Sequence, residues 1–177
     1  MRRVSRKVAF LLLLATVTPL VCLSLLLVLT CSSHGLDKIA ALANGGLYRD
    51  DAGVIRQQGH NDCAVVCTEM LLIRVGRPLP YRKLLDQIPL TTRGASMQQI
   101  IDVLRRQGVP SHYRRVRKDN IDHLPLPAIA FVRGNHFVLI EEVKDHVVTV
   151  SDPSIGRVQF ARPIFNATWD GDVITSF

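Results

Sequence analysis

From Val8 to Thr30 the chain runs 23 residues without a charge, rich in leucine and valine, directly behind Arg2, Arg3, Arg6 and Lys7. A helix rises about 1.5 Å per residue, so this run reaches roughly 35 Å, enough to cross a hydrocarbon core of about 30 Å. Residues 1–31 are therefore read as a membrane anchor with one transmembrane helix. The apolar part of a cleaved signal usually spans only about 7 to 15 residues, which favours an uncleaved anchor. The alternative is a secreted chain, or a lipoprotein lipidated on Cys31 after Val28-Leu29-Thr30, released by signal cleavage. Pro19 does not overturn the reading, because membrane helices tolerate proline. The cations precede the span and little but His34 and Lys38 facing Asp37 follows it. That asymmetry puts the N-terminus in the cytoplasm and everything after the span on the extracytoplasmic side.

The remainder suits one domain with its own core. With 47% hydrophobic and 21% charged residues the chain lacks the signature of disorder. Of the net charge of +7, four charges sit at the N-terminal cluster. The other notable cluster, Arg114 to Lys118, has no interleaved aromatics or glycine-rich loop, so a nucleic-acid partner is not expected. Residues 32–53 read as a short helical turn and a tether, and residues 54–177 as the domain.

Within that domain, Cys63 to Ile73 is apolar at most positions until Gly76 stops it, the mark of a buried helix. A second helix is predicted to begin near Pro80 and to end by Pro89. A third is predicted with Ser96 as cap, a stripe of Met97, Ile100, Ile101 and Leu104, and an end at Gly108. Short β-branched runs follow: 111–116, 128–132, 137–143, 147–151, 157–160 and 172–175, separated by turn residues. Helices first and an antiparallel sheet after them make an α+β domain.

Of the four cysteines, Cys22 and Cys31 belong to the membrane segment, leaving Cys63 and Cys67. With no second ligand pair their spacing is not a zinc site, so neither metal nor cofactor is expected. Free cysteines are commonly just buried, and Cys67 is read that way. Cys63 differs because it opens a helix, where N–H groups and the helix dipole stabilise a thiolate. A nucleophilic thiol needs a base and a group that orients the base. His136 begins one strand and Asp152 ends the next, and a hairpin at Lys144-Asp145 brings those two ends together. Asp62 is read as a helix cap, His60 as a solvated or capping residue, and Phe165 and Trp169 as core.

Gln57 followed by Asp62-Cys63, with Cys67 and Met70 on the next helix, resembles the opening motif of the bacteriocin-processing peptidases. These are papain-like cysteine peptidases that cut double-glycine leaders. His136-Phe137-Val138-Leu139, Val150 to Gly156, then Phe165 and Trp169-Asp170-Gly171 resemble that family's second half, so the likeness covers roughly residues 53–175. It implies a papain-like fold in which Cys63 is the nucleophile, His136 the general base and then acid, Asp152 the orienting carboxylate and Gln57 an oxyanion donor. Gln58 is the neighbouring candidate if the loop register differs. The implied partners are a peptide or protein substrate and a separate transporter. Ala64 and Val66 depart from the glycine and small residue usual in the family. The competing readings are an inactive peptide-binding module of the same fold and an acyl transferase.

Overall fold

The computed structural model describes Thr18, Pro19, Ser24 and residues 34–176. The membrane helix expected over Val8–Thr30 lies outside the described residues except at those three positions. Among the described residues no helix is long and apolar enough to cross a membrane. The chain divides into two compact units, residues 1–39 and 40–177. Helix α1 (Gly35–Ala43) includes residues of both units, and the elements described below lie within residues 40–177.

The second unit is built on seven antiparallel strands: β1 (Gly46–Asp50), β2 (His112–Arg115), β3 (Ala128–Val132), β4 (His136–Lys144), β5 (Val147–Asp152), β6 (Gly156–Ala161) and β7 (Trp169–Thr175). They lie in the order β1-β6-β5-β4-β3-β7-β2. Helices α2 (Cys63–Arg74), α3 (Tyr81–Leu85) and α4 (Met97–Arg106) precede most of the sheet, and α5 (Arg162–Thr168) joins β6 to β7.

Both faces of the central strands are covered. Ile129, Phe137, Leu139 and Ile174 pack with the apolar residues of α2 and α4, while Ala130, Val138, Ile140, Val150 and Val173 pack with Phe160, Phe165 and Trp169. This is why Ala128-Ile-Ala-Phe-Val132 and Phe137-Val-Leu-Ile140 read as unbroken apolar runs and do not alternate. Each fully buried aliphatic side chain contributes about 1.5 to 3 kcal/mol relative to exposure.

Helix α2 is buried around most of its circumference, and its one internal hydroxyl, Thr68 Oγ1, donates to the Ala64 carbonyl at 2.7 Å. Helix α4 begins with a complete capping box. The Gln99 N–H donates to Ser96 Oγ at 3.3 Å, and the Ser96 N–H donates to Gln99 Oε1 at 2.7 Å. Such a cap stabilises by about 1 kcal/mol.

Two expectations need correction and a third is sharpened. Residues 46–50 are an edge strand paired to β6, so the expected tether contributes to the sheet. Gly-Leu-Tyr-Arg-Asp has little strand signature, but Arg157 Nη1 donates to Asp50 Oδ1 at 2.9 Å and fixes the edge. The second helix begins directly after Pro80, which is extended, and ends before Pro89, as expected, but is only five residues long. Strand β7 begins at Trp169, three residues early, and runs through Gly171. A Cβ there would lie 2.2 Å from the Val116 carbonyl oxygen, so the glycine permits a close backbone approach.

Strand β4 carries one extra residue opposite β5. Leu139 faces Ser151 and Ile140 faces Val150, but Glu142 faces Thr149, which leaves Glu141 as the bulged residue. Its carboxylate accepts from Ser151 Oγ at 2.8 Å and Arg157 Nε at 2.9 Å, and pairs with Arg74. Glu141→Ala orphans the buried Ser151 hydroxyl, leaves Arg74 without this partner and takes one of its carboxylate partners from Arg157, which keeps Asp50. The expected cost is about 1 to 3 kcal/mol, read as a Tm lower by roughly 3 to 10 °C in thermal unfolding.

Candidate active site

The bulge sets the relative placement of the ends of β4 and β5. Without it Asp152 would slip one residue relative to His136 and exchange faces. In the observed register His136 Nε2 lies 2.8 Å from Asp152 Oδ1. The other ring nitrogen is left for Cys63, which lies near enough to the same imidazole for its charge to raise it. Cys63 is the first residue of α2 and is 7% exposed. The imidazole and the carboxylate, from two strand ends, are thus in hydrogen-bond contact, and the thiol at the helix start lies near them.

Asp152 is nearly fully buried, and Oδ1 also accepts from the Ser154 N–H at 2.8 Å and the Ser154 hydroxyl at 2.6 Å. Burial raises its carboxyl, but the bond and charge of His136 and the two Ser154 donors outweigh it and hold the group below its ordinary value. Burial depresses His136, yet the hydrogen bonds and negative charge of Asp152 and Cys63 prevail and push it up to about 9. Cys67 lies one helical turn behind Cys63, fully buried. Burial, then the charges of Cys63 and Asp152, push its thiol well above the ordinary range. Both thiols are free.

Gln57 lies on the loop entering α2. Its N–H donates to the Pro153 carbonyl at 3.0 Å, and its Nε2 donates to the Gly59 carbonyl at 2.9 Å. One proton of that amide remains uncommitted. Gln58 is held by its main chain, whose N–H donates to Asp62 Oδ2 at 2.9 Å.

Asp62 departs from its expected role. It stands at the cap position of α2 without the extended conformation or the side-chain bond of a cap.

A groove of about 410 Å³ opens beside Cys63. One wall is His60, Asn61 and the loop Thr92 to Ala95. The other is Phe131, Gly134, Asn135 and Phe137. Asn61 Nδ2 donates to the Thr91 carbonyl at 2.6 Å, and Gly94 has φ +82° with its Cβ position 2.9 Å from the Asn61 carbonyl oxygen. The loop thus sits tight against the residues before the nucleophile. His60 is exposed on the rim, and Phe165 and Trp169 are core, as read.

Sequence reasoning missed Ser154, Tyr81 and the 92–95 wall. Asp-Pro-Ser was a legible signal for Ser154, since aspartate in a turn commonly accepts from the residue two further on. Nothing in the sequence marks the other two.

A thiol at a helix start, facing an imidazole that a buried carboxylate orients, all on a sheet packed against that helix, is the arrangement of a papain-like cysteine peptidase. The model of the Peptidase C39 family matches residues 51–176. The chain belongs to that family and is a cysteine peptidase. A lacticin-481/lactococcin-DR transport/processing ATP-binding protein of Lactococcus lactis is 26% identical over 127 residues, covering 69% of this chain and 18% of that protein. An uncharacterized protein of Methanothermobacter marburgensis is 28% identical over 130 residues, covering 72% of this chain and 89% of that protein. Among solved structures, the fold is similar to a double glycine motif protease from an AMS/PCAT transporter in complex with its leader peptide. The TM-score is 0.66 and the identity 20%, covering 73% of this chain and 94% of that one. It is also similar to the peptidase domain of Streptococcus ComA, with a TM-score of 0.63 and 15% identity over 69% of this chain and 95% of that one.

Proposed function

We propose that this chain hydrolyses a peptide bond after a glycine-rich motif through a Cys63-His136-Asp152 triad. The observation that carries the reading is the His136 imidazole bonded at 2.8 Å to the buried Asp152 carboxylate, with the Cys63 thiol at the start of α2 close enough to act on the same ring. In this mechanism the Cys63 thiolate attacks the scissile carbonyl carbon. The Cys63 N–H and the free amide proton of Gln57 stabilise the oxyanion, a contribution of about 3 to 4 kcal/mol per donor. His136 gives its proton to the leaving amine, which leaves a thioester on Cys63. It then takes a proton from water, whose attack on the thioester releases the carboxylic acid and returns Cys63 to the thiolate beside the imidazolium of His136.

Glycine at the cleavage site is supported by the double-glycine protease among the similar structures. The processing transporter among the relatives supports a separate transporter as partner, although the chain spans 18% of that protein's length. The uncharged run Val8–Thr30 behind four cations supports a membrane-anchored protein with this domain on the extracytoplasmic side.

The test is a peptide containing Gly-Gly and its Gly-Val counterpart, with products weighed by mass spectrometry. The expected N-terminal fragment ends on glycine, and the valine peptide is cut at least about tenfold more slowly, since a misfit at a close-packed subsite commonly costs 1 to 3 kcal/mol. Equal cutting of both would remove the glycine preference, and no cutting of either would remove the peptidase assignment for these residues. For the anchor, alkaline carbonate should leave the full chain in the membrane pellet, and protease added to spheroplasts should digest it. Survival of the domain in intact spheroplasts would reverse the orientation.

A further inference from the structure

Asp62 is 1% exposed and immediately precedes the nucleophile, yet it does not cap the helix that it introduces. Burying a carboxylate costs several kcal/mol unless its oxygens find donors. Its Oδ2 accepts from the Gln58 N–H at 2.9 Å and from the Tyr81 hydroxyl at 2.7 Å. Its Oδ1 is buried without a protein partner and lies 3.7 Å from the position of a Cβ on Gly59. The carboxylate therefore faces the 57–59 loop and not the helix.

That loop carries the amide of Gln57, whose Nε2 is tied to the Gly59 carbonyl. Where Gly59 sits therefore decides where the second amide proton points. Gln58, between them, is fastened to Asp62. Tyr81 is itself fixed to α2, its N–H donating to Glu69 Oε1 at 3.0 Å. Burial and then the bond to Asp62 push its hydroxyl up to about 12, so it remains a donor through neutral and moderately alkaline pH. Oxyanion donors act only within about 2.7 to 3.1 Å of the developing charge, so a displacement of the loop near 1 Å forfeits most of the benefit.

We infer that Asp62, braced by Tyr81, is a positioning residue that holds the Gln57–Gly59 loop so that the Gln57 amide reaches the oxyanion formed at Cys63. The inference rests on the proposed peptidase mechanism and adds to it a residue that acts through Gln57.

The test is a double-mutant cycle on the full chain with the Gly-Gly peptide, run beside the rate at which iodoacetamide alkylates Cys63. Alkylation displaces iodide at a saturated carbon and forms no oxyanion, so it reads the thiolate alone. Gln57→Ala is expected to lower kcat on the order of 10²-fold. Asp62→Ala should lower it about 10- to 50-fold with KM little changed and alkylation within roughly threefold of wild type. The double variant should be no slower than Gln57→Ala alone, because the second change removes support from an amide already absent. Asp62→Asn, whose carbonyl oxygen accepts the same two bonds, should recover kcat to within about fivefold of wild type. Tyr81→Phe should give a smaller loss in the same direction and serves where Asp62→Ala does not fold.

Multiplication of the two losses, or alkylation slowed as much as cleavage, would overturn the inference. If the wild type cuts no peptide, the function falls, and deuterium exchange still decides the positioning role. The Gln57 N–H bonds to Pro153 and not to Asp62, so faster exchange there in Asp62→Ala or Tyr81→Phe supports the inference, and unchanged exchange defeats it.

Discussion

Cys63→Ala is expected to end peptide hydrolysis, with kcat/KM lowered on the order of 10⁴- to 10⁶-fold and the fold retained. Only the thiol can form the acyl-enzyme. The neighbouring Cys67 cannot replace it, being fully buried with its thiol pushed well above the ordinary range. Losing one sulfur at the edge of the core should cost roughly 1 kcal/mol, a small part of a domain's stability. Circular dichroism and a thermal melt would check that the variant folds, and a fluorogenic Gly-Gly peptide would read the activity. Undiminished turnover would end the assignment of Cys63. Alkylation gives the same answer without a substrate. Iodoacetamide should label Cys63 well before Cys67, and His136→Ala should slow that labelling by removing the cation that stabilises the thiolate. Equal, slow labelling of both thiols would argue against an activated nucleophile.

The positions that bring these groups together were only partly legible in the sequence. Cys63 could be read because a helix start announces itself, with an apolar run behind it and a loop before it. The pairing of His136 with Asp152 could be read because one hairpin joins their strands. The bulge at Glu141 could not. A single extra residue leaves no mark on an apolar run buried on both faces, yet it decides which residue of β5 lies beside His136. Helix α5 and strand β1 were missed for a related reason. Arg-Pro-Ile-Phe-Asn-Ala-Thr and Gly-Leu-Tyr-Arg-Asp are too short to show a period, and packing of Phe165 and pairing to β6 decide their conformation. Asp62 was misread because aspartate before a helix ordinarily caps it. Tyr81, nineteen residues away, supplies a donor that no local pattern reveals. The groove walls follow the same rule: Thr92 to Ala95 matters through its tertiary neighbour Asn61, and such neighbours are invisible in a linear reading.

Asp152→Asn should lower kcat/KM at neutral pH on the order of 10²- to 10⁴-fold and move the alkaline limb of the pH profile downward. In the native site His136 is raised to about 9, so the imidazolium that protonates the leaving amine persists through neutral pH, and activity should fall as pH rises past about 9. The asparagine variant lacks the negative charge that opposes burial. Its histidine should therefore lose its proton nearer its ordinary value of about 6.5, or below it. The same linkage acts on stability. For His136 the folded-state value exceeds the unfolded one, so its contribution is fully present below about 6.5 and is lost as pH rises through about 9. For Asp152 the folded-state value is depressed, so its contribution is present above the ordinary carboxylate range and is lost as pH falls through the lowered value. The pair thus supports the fold most between roughly pH 4 and 6.5, with decline on both sides. Thermal melts across pH 3 to 10 should show this in the wild type and a flatter dependence in Asp152→Asn. An alkaline limb that stays in place in the variant would mean that another group controls it, and His136 would lose its assignment as the acid.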